Sequence, residues 1–254
     1  FQVGEVAAAD RAMTSAREES RSWGPARDLG LEELLAVLVI DLIMGDLDPR
    51  IDVRLEEPAR RGLARETMSF VSVVQAQRAL ARAQFASARA LIDDSISLGR
   101  ALALETGLPF RLALAVLIDA HVGDHDALAR EVAEMRDLCR RIGWTQLFAT
   151  ADRAEGLQAL GDGRLEVALS RLEPLAEDRL LGCGPWDAVP MGRADLVEAL
   201  VRSGERDRAS EVAADLTRVL GPSSDPIAQA LVSRSQGLVD HGEDADRAFV
   251  CAID

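Results

Sequence analysis

Several groups of residues have types and spacings that chemistry uses. The stretch "LGDGRLEVALSRLEPLAE", Leu160 to Glu177, sets Gly161 and Gly163 around Asp162 between apolar runs, as a loop cradling phosphate with backbone N–H groups would. His121 and His125 are four apart, a spacing that lets two imidazoles share a metal when both lie on a helix. Asp93 and Asp94 in "LIDDSIS" are carboxylates of the kind that hold Mg²⁺. Arg78 and Arg82, one turn apart in "QAQRALARAQ", together with Arg111, Arg193 and Arg234, could grip a carboxylate or phosphate through two parallel hydrogen bonds. Trp144 and Trp186 each follow a helix breaker and could anchor a ligand or partner.

Each group also has a plainer reading. The chain contains no lysine, so all 29 basic residues are arginine. A Walker loop of the form GxxxxGK[ST], a Schiff base and a lysine general base are thereby excluded, and the glycines of "GDG" read as a turn. Gly123 lies between the two histidines and no third ligand is specified, so solvated turn histidines are expected there. The third acid that would complete the Asp93–Asp94 pattern is Ser97, which leaves an exposed helix face. There is no GxSxG elbow, and the three histidines fall at turns, so a serine triad has no support. The expectation is a non-enzyme with no catalytic residue, no metal and no cofactor. For the arginines the competing role is salt bridging to the many glutamates; for the tryptophans it is packing between repeats.

Composition narrows the partners. A chain of 254 residues, 48% hydrophobic, can bury a sizeable core. Its 43 acidic residues give a formal charge of -14, a field that repels a phosphate backbone, so direct nucleic-acid binding is not expected. Cys139, Cys183 and Cys251 form no CxxC pair, as in a reduced cytosolic protein. The longest apolar run, "LLAVLVI" from Leu34 to Ile40, is far short of the ~20 residues that a membrane span needs, and no signal peptide is recognisable. A cytoplasmic location is expected. The absence of lysine, asparagine and tyrosine fits a GC-rich bacterial gene. The chain opens "FQVGEV" without an initiator methionine, and a piece of a larger multidomain protein is the expectation.

The elements that must position these residues repeat. Gly45, Ala83, Gly123, Gly163, Gly204 and Gly242 are spaced by 38, 40, 40, 41 and 38 residues, and Ala88, Ala168 and Ala209 each follow their anchor by five. Self-similarity at such a period marks an array of stacked units. A second set of breakers alternates with the first: Gly62, Gly107 with Pro109, Gly143, Gly184 with Pro185, and Gly221 with Pro222. Between breakers the periodicity is helical. Leu165, Ala168, Leu169, Leu172, Leu175 and Ala176 occupy one face of a 3.6-residue helix, although Pro174 should kink it or end it early. Helices are predicted at 3–23, 31–44, 49–61, 66–82, 85–105, 109–122, 125–142, 145–160, 164–180, 187–202, 206–220, 225–240 and from 244 to the end. Ala83, Ala88, Ala154, Ala168 and Ala209 are expected where helices approach closely. The fold class is all-α: a single solenoid over residues 1–254 of about six antiparallel helical hairpins, a tetratricopeptide (TPR)-like right-handed superhelix with a period of about 40 residues. One hairpin cannot cover its own apolar face, whereas stacked hairpins bury a continuous core.

The strings "RALARAQFASARALIDDSI", "GLQALGDGRLEVALSRLEPLAE" and "DLVEALVRSGERDRASEVAADL" resemble the TPR-like array of large bacterial transcriptional regulators of the MalT-like, LuxR-family type. There an N-terminal NTPase module precedes the array and a helix-turn-helix follows it; this chain has neither a P-loop nor DNA-binding helices. The resemblance implies a sensing and coupling segment that binds a small-molecule inducer or regulatory protein and works with other domains of the parent protein. The array expected from the repeat would bind on its concave face, which first-of-pair helices typically line; Arg78, Arg82, Arg111, Arg193, Arg234, Trp144 and Trp186 are therefore the ligand- or partner-binding candidates. The alternative is a pure interaction scaffold that spaces other domains or joins a second copy into a homo-oligomer.

Overall fold

The computed structural model describes residues 15, 65–102, 107–177, 188–222, 226–240 and 242–253. The expected helices at 3–23, 31–44 and 49–61, the Gly45 anchor and Trp186 lie outside these. Among the described residues there are ten α-helices and no strand: α1 (Arg65–Ala81), α2 (Phe85–Ala101), α3 (Leu108–Val122), α4 (His125–Ile142), α5 (Phe148–Gly161), α6 (Leu165–Glu177), α7 (Ala188–Ser203), α8 (Arg206–Leu220), α9 (Pro226–Val239) and α10 (Glu243–Ile253). A 3₁₀ turn, Thr145–Leu147, leads into α5.

One backbone device recurs. All five described anchors have positive φ: Ala83 55°, Gly123 75°, Gly163 73°, Gly204 88° and Gly242 61°. At four of them the next N–H closes back onto the preceding helix: Gln84 onto Ala79 O (2.8 Å), Asp124 onto Asp119 O (3.1 Å), Arg164 onto Ala159 O (2.8 Å) and Glu205 onto Leu200 O (2.8 Å). A left-handed residue with this bond satisfies carbonyls that the helix end would orphan, and the next helix starts one or two residues later. The opening stretch "GDG" is such a turn. Ala83 is the outlier, because a Cβ makes the left-handed region costly. It is exposed in the turn rather than at a helix crossing, which corrects the expectation for that alanine.

Ala88, Ala168 and Ala209 are fully buried five residues after their anchors, as is Ala154. In α4, Asp124 accepts a bond from the Ala127 N–H at 3.0 Å and Gly143 closes the far end at φ 78°, so both limits have a local cause. Pro174 lies inside α6, which continues through it to at least Glu177, although its ring removes a donor and crowds the preceding turn.

The described residues divide into two compact units, one up to Ala151 and one from Asp152 onward. In the first, α1 packs on α2, α2 on α3, α3 on α4, and α1 also meets α3. Every residue of α3 from Arg111 to Ala120 is buried, as an almost wholly apolar helix requires. In the second, α7 packs on α6, α8 and α9, α8 packs on α9, and α9 on α10, with Ala194, Leu216, Leu220, Ala228 and Val232 in one core cluster. None of the described helices is long and apolar enough to cross a membrane.

Candidate functional site

The odd-numbered helices carry the arginine candidates, and most of them point inward. Arg111, on the first turns of α3, is only 4% exposed. Its Nε–H donates to Ser69 Oγ and Ser95 Oγ, each at 3.0 Å, and its Nη2–H donates to Ser69 Oγ at 2.7 Å. The serines lock α1 to α2 in turn: the Ser69 hydroxyl reaches the Ser95 carbonyl at 3.1 Å, and the Ser95 hydroxyl reaches the Ser69 carbonyl at 2.5 Å. No carboxylate of the described residues pairs with Arg111, and desolvation lowers its guanidinium below the usual arginine range. Room for the head group comes from Gly107, where a Cβ would stand 2.3 Å from Nη1. Gly107 has φ -89° and ψ -12°, open to any residue, so space rather than backbone conformation demands the glycine.

Another arginine meets the same burial with a charge. Arg153 on α5 donates from Nε to Asp195 Oδ2 at 3.0 Å, both side chains being buried. Asp195 Oδ1 also faces Arg234 Nη1 at 3.5 Å, and Arg234 Nη2 reaches Glu198 at 2.5 Å. Arg193 leaves α7 on a different side, as residues two apart on a helix must. It donates to the carbonyls of Leu175 (3.3 Å) and Ala176 (3.1 Å) at the end of α6, and to Asp215 at 3.2 Å. A cation beside terminal carbonyls satisfies acceptors and complements the helix dipole.

Arg78 is buried in the last turn of α1, and Arg82 is exposed just past it. Arg111 binds Ser69, nine residues earlier on α1, a rise of roughly 13 Å at 1.5 Å per residue; the pair Arg78–Arg82 and Arg111 are not brought together. Arg193 on α7 and Arg234 on α9 engage different acids, Asp215 for the first and Asp195 and Glu198 for the second. Trp144 is half-buried ahead of the 3₁₀ turn and meets the Phe110 ring edge-on, with centroids 4.9 Å apart; Phe110 itself is 44% exposed. His121 stacks on Phe85 at 5.5 Å. No metal-holding group of three His, Cys, Asp or Glu occurs among the described residues.

A second polar cluster joins three helices. Arg89 of α2 binds Asp119 of α3 through Nη1 at 2.5 Å, Glu131 of α4 through Nη2 at 2.5 Å, and Asp93 one turn along its own helix at 3.0 Å. Burial lowers the Arg89 guanidinium, but hydrogen bonds to Glu131 and Asp93 and the charges of Glu131 and Asp119 outweigh it and hold the group above its usual range. Asp119 is 1% exposed and its Oδ2 has no hydrogen-bond partner. Burial first, then the Glu131 charge, pushes its carboxyl up to about 7 against the opposing pull of Arg89.

Ser69, Arg89, Ser95, Asp119, Glu131, Arg153 and Asp195 were not among the candidates. A signal for them exists: Ser69 to Arg111, Arg89 to Glu131, Arg153 to Asp195 and Arg202 Nη1 to Leu160 O (3.0 Å) all span 42 residues. The turn anchors recur at 40 or 41 over the same region, so these ties join positions about two residues out of register with the turns. Compared with protein-family models, curated proteins and solved structures, the chain gives no match, and its function is argued from geometry.

Proposed function

We propose that this chain is a TPR-like α-solenoid of about six antiparallel helical hairpins, and that it serves as a non-catalytic, ligand- or protein-binding sensing and coupling module of a LuxR-family, MalT-like bacterial transcriptional regulator in the cytoplasm. The observation that carries the reading is the recurrence of one left-handed turn at 38- to 41-residue intervals, with buried Arg78, Arg111, Arg153 and Arg193 in successive odd-numbered helices. Arrays of this kind present a continuous surface built from one helix of each pair, which is used for binding rather than for reaction chemistry. A small-molecule inducer or regulatory protein is the partner, and other domains of the parent protein receive the signal.

The test is a thermal-shift screen against a metabolite library, with calorimetric titration of each hit. A ligand that binds the native state raises the midpoint saturably, the expected result; a blank across the library would move the weight to the scaffold reading. One feature favours that second reading: α10 has no buried residue, and Val250 and Ile253 are 57% and 85% exposed. A scaffold that uses this face to join a second copy should fall to a smaller species in sedimentation when Ile253→Glu is introduced.

A further inference from the structure

We infer that Arg111, held by Ser69 and Ser95, is an oxyanion subsite that takes the carboxylate or phosphate group of a small ligand on the Nη1–Nη2 edge of its guanidinium. The inference rests on the ligand-sensor reading and specifies its chemistry. A guanidinium offers two edges for paired hydrogen bonds. The Nε–Nη2 edge is taken, since both nitrogens converge on Ser69 Oγ at 3.0 and 2.7 Å. The Nη1–Nη2 edge, whose geometry suits two coplanar oxygens, carries no hydrogen bond among the described residues beyond the one Nη2 gives Ser69. Two hydroxyls hold the group in place without neutralising it, and a cation buried with only neutral partners is costly unless a counter-charge arrives. Arg153, equally buried, has Asp195 for that purpose. Nη1 lies beside Gly107, which is itself only half-buried, so the unused edge abuts a partly exposed stretch of backbone. Gly107 is a positioning residue here, because any side chain would displace Nη1.

The experiment titrates inorganic phosphate and, separately, succinate against the whole chain at constant ionic strength in sodium chloride, following the thermal midpoint and the heat of binding. The expected result is a saturable rise with at least one of them. The anion that acts identifies the source: phosphate a phosphorylated ligand, succinate an organic acid. Arg111→Met should abolish the response and Gly107→Ala should weaken it at least several-fold. Ser69→Asp supplies the missing carboxylate from within the fold, and should raise the midpoint without added anion and remove the response; it decides the matter even if Arg111→Met does not fold. Equal responses in wild type and Ser69→Asp would overturn the inference, as would no response in either. A library ligand that shifts wild type and Ser69→Asp alike would sink this subsite and leave the sensor reading standing.

Discussion

Arg111 and Arg153 lie 42 residues apart in successive odd helices, both almost wholly buried, and are satisfied in opposite ways. Arg153 has a carboxylate that it shares with Arg234, so charge is compensated inside the fold. Arg111 has two serine hydroxyls, which occupy its Nε–Nη2 edge but leave its Nη1 and its charge without a partner among the described residues. Hydrogen-bond satisfaction and charge neutralisation are separate requirements of a buried group. The Arg153–Asp195 pair of the unit from Asp152 onward neutralises its buried charge within the fold, and Arg111 in the unit before it has only part of the first requirement met.

The largest way to break the contrast is Asp195→Asn. It leaves Arg153 buried beside a neutral amide and withdraws one partner from Arg234, a loss of about 3–5 kcal/mol expected for removing one member of a buried pair, read by urea unfolding. Arg111 should not notice: the Arg111→Met change in stability ought to be the same in both backgrounds, as sites that share no partner are additive.

The next effect is one of pH and belongs to the first unit. The folded state binds the Asp119 proton more tightly than the unfolded chain does, since the carboxyl rises from 3.8 to about 7 on folding. Its contribution is therefore fully present below about pH 3.8 and lost as the pH climbs through about 7. Wild type should gain stability between pH 8 and pH 6, and Asp119→Asn should flatten that segment of the curve. An unchanged slope in the variant would show that the Asp119 carboxyl does not titrate there.

Smaller again is overpacking. Ala88 and Ala168 occupy the same place after their turns in the two units and are both fully buried, so Ala88→Trp and Ala168→Trp should each cost roughly 1–3 kcal/mol. A midpoint that does not fall in one of them would mean that its helix crossing can open. The smallest pair has opposite signs. Ala83→Gly should stabilise by up to about 1 kcal/mol by relieving a left-handed alanine. Gly163→Ala should cost about as much, because nothing within 4 Å of Gly163 would meet the new methyl and only φ is tested. Two changes of the same sign would refute a common turn geometry.

Helix limits were legible wherever a local signal set them. The predicted 125–142 and 206–220 coincide with α4 and α8, the first flanked by an aspartate cap and a left-handed glycine, the second opening just after Gly204. Ala83 was legible as a turn only through the repeat, because nothing in alanine itself calls for positive φ. The site was less so. Arg153 and Asp195 lie in separate helical patterns, and their pairing depends on a two-residue stagger between helices that turn spacing does not encode. Phe110 sits in "LPFRLALAVLI", a run with no polar face to say which side meets water, so its exposure could be learned only from packing. Trp186 lies outside the described residues.

The 42-residue ties also order events in time. Synthesis proceeds from the N-terminus at about 5–20 residues per second. When Arg111 is made, Ser69 and Ser95 already exist, so α3 can draw its guanidinium inward at once. Arg153 must wait for Asp195 to be translated, roughly 2–8 s later at that rate, and until then its charge is better left in water. The growing chain can therefore complete its first unit early, while the second holds α5 open until α7 has emerged from the ribosome.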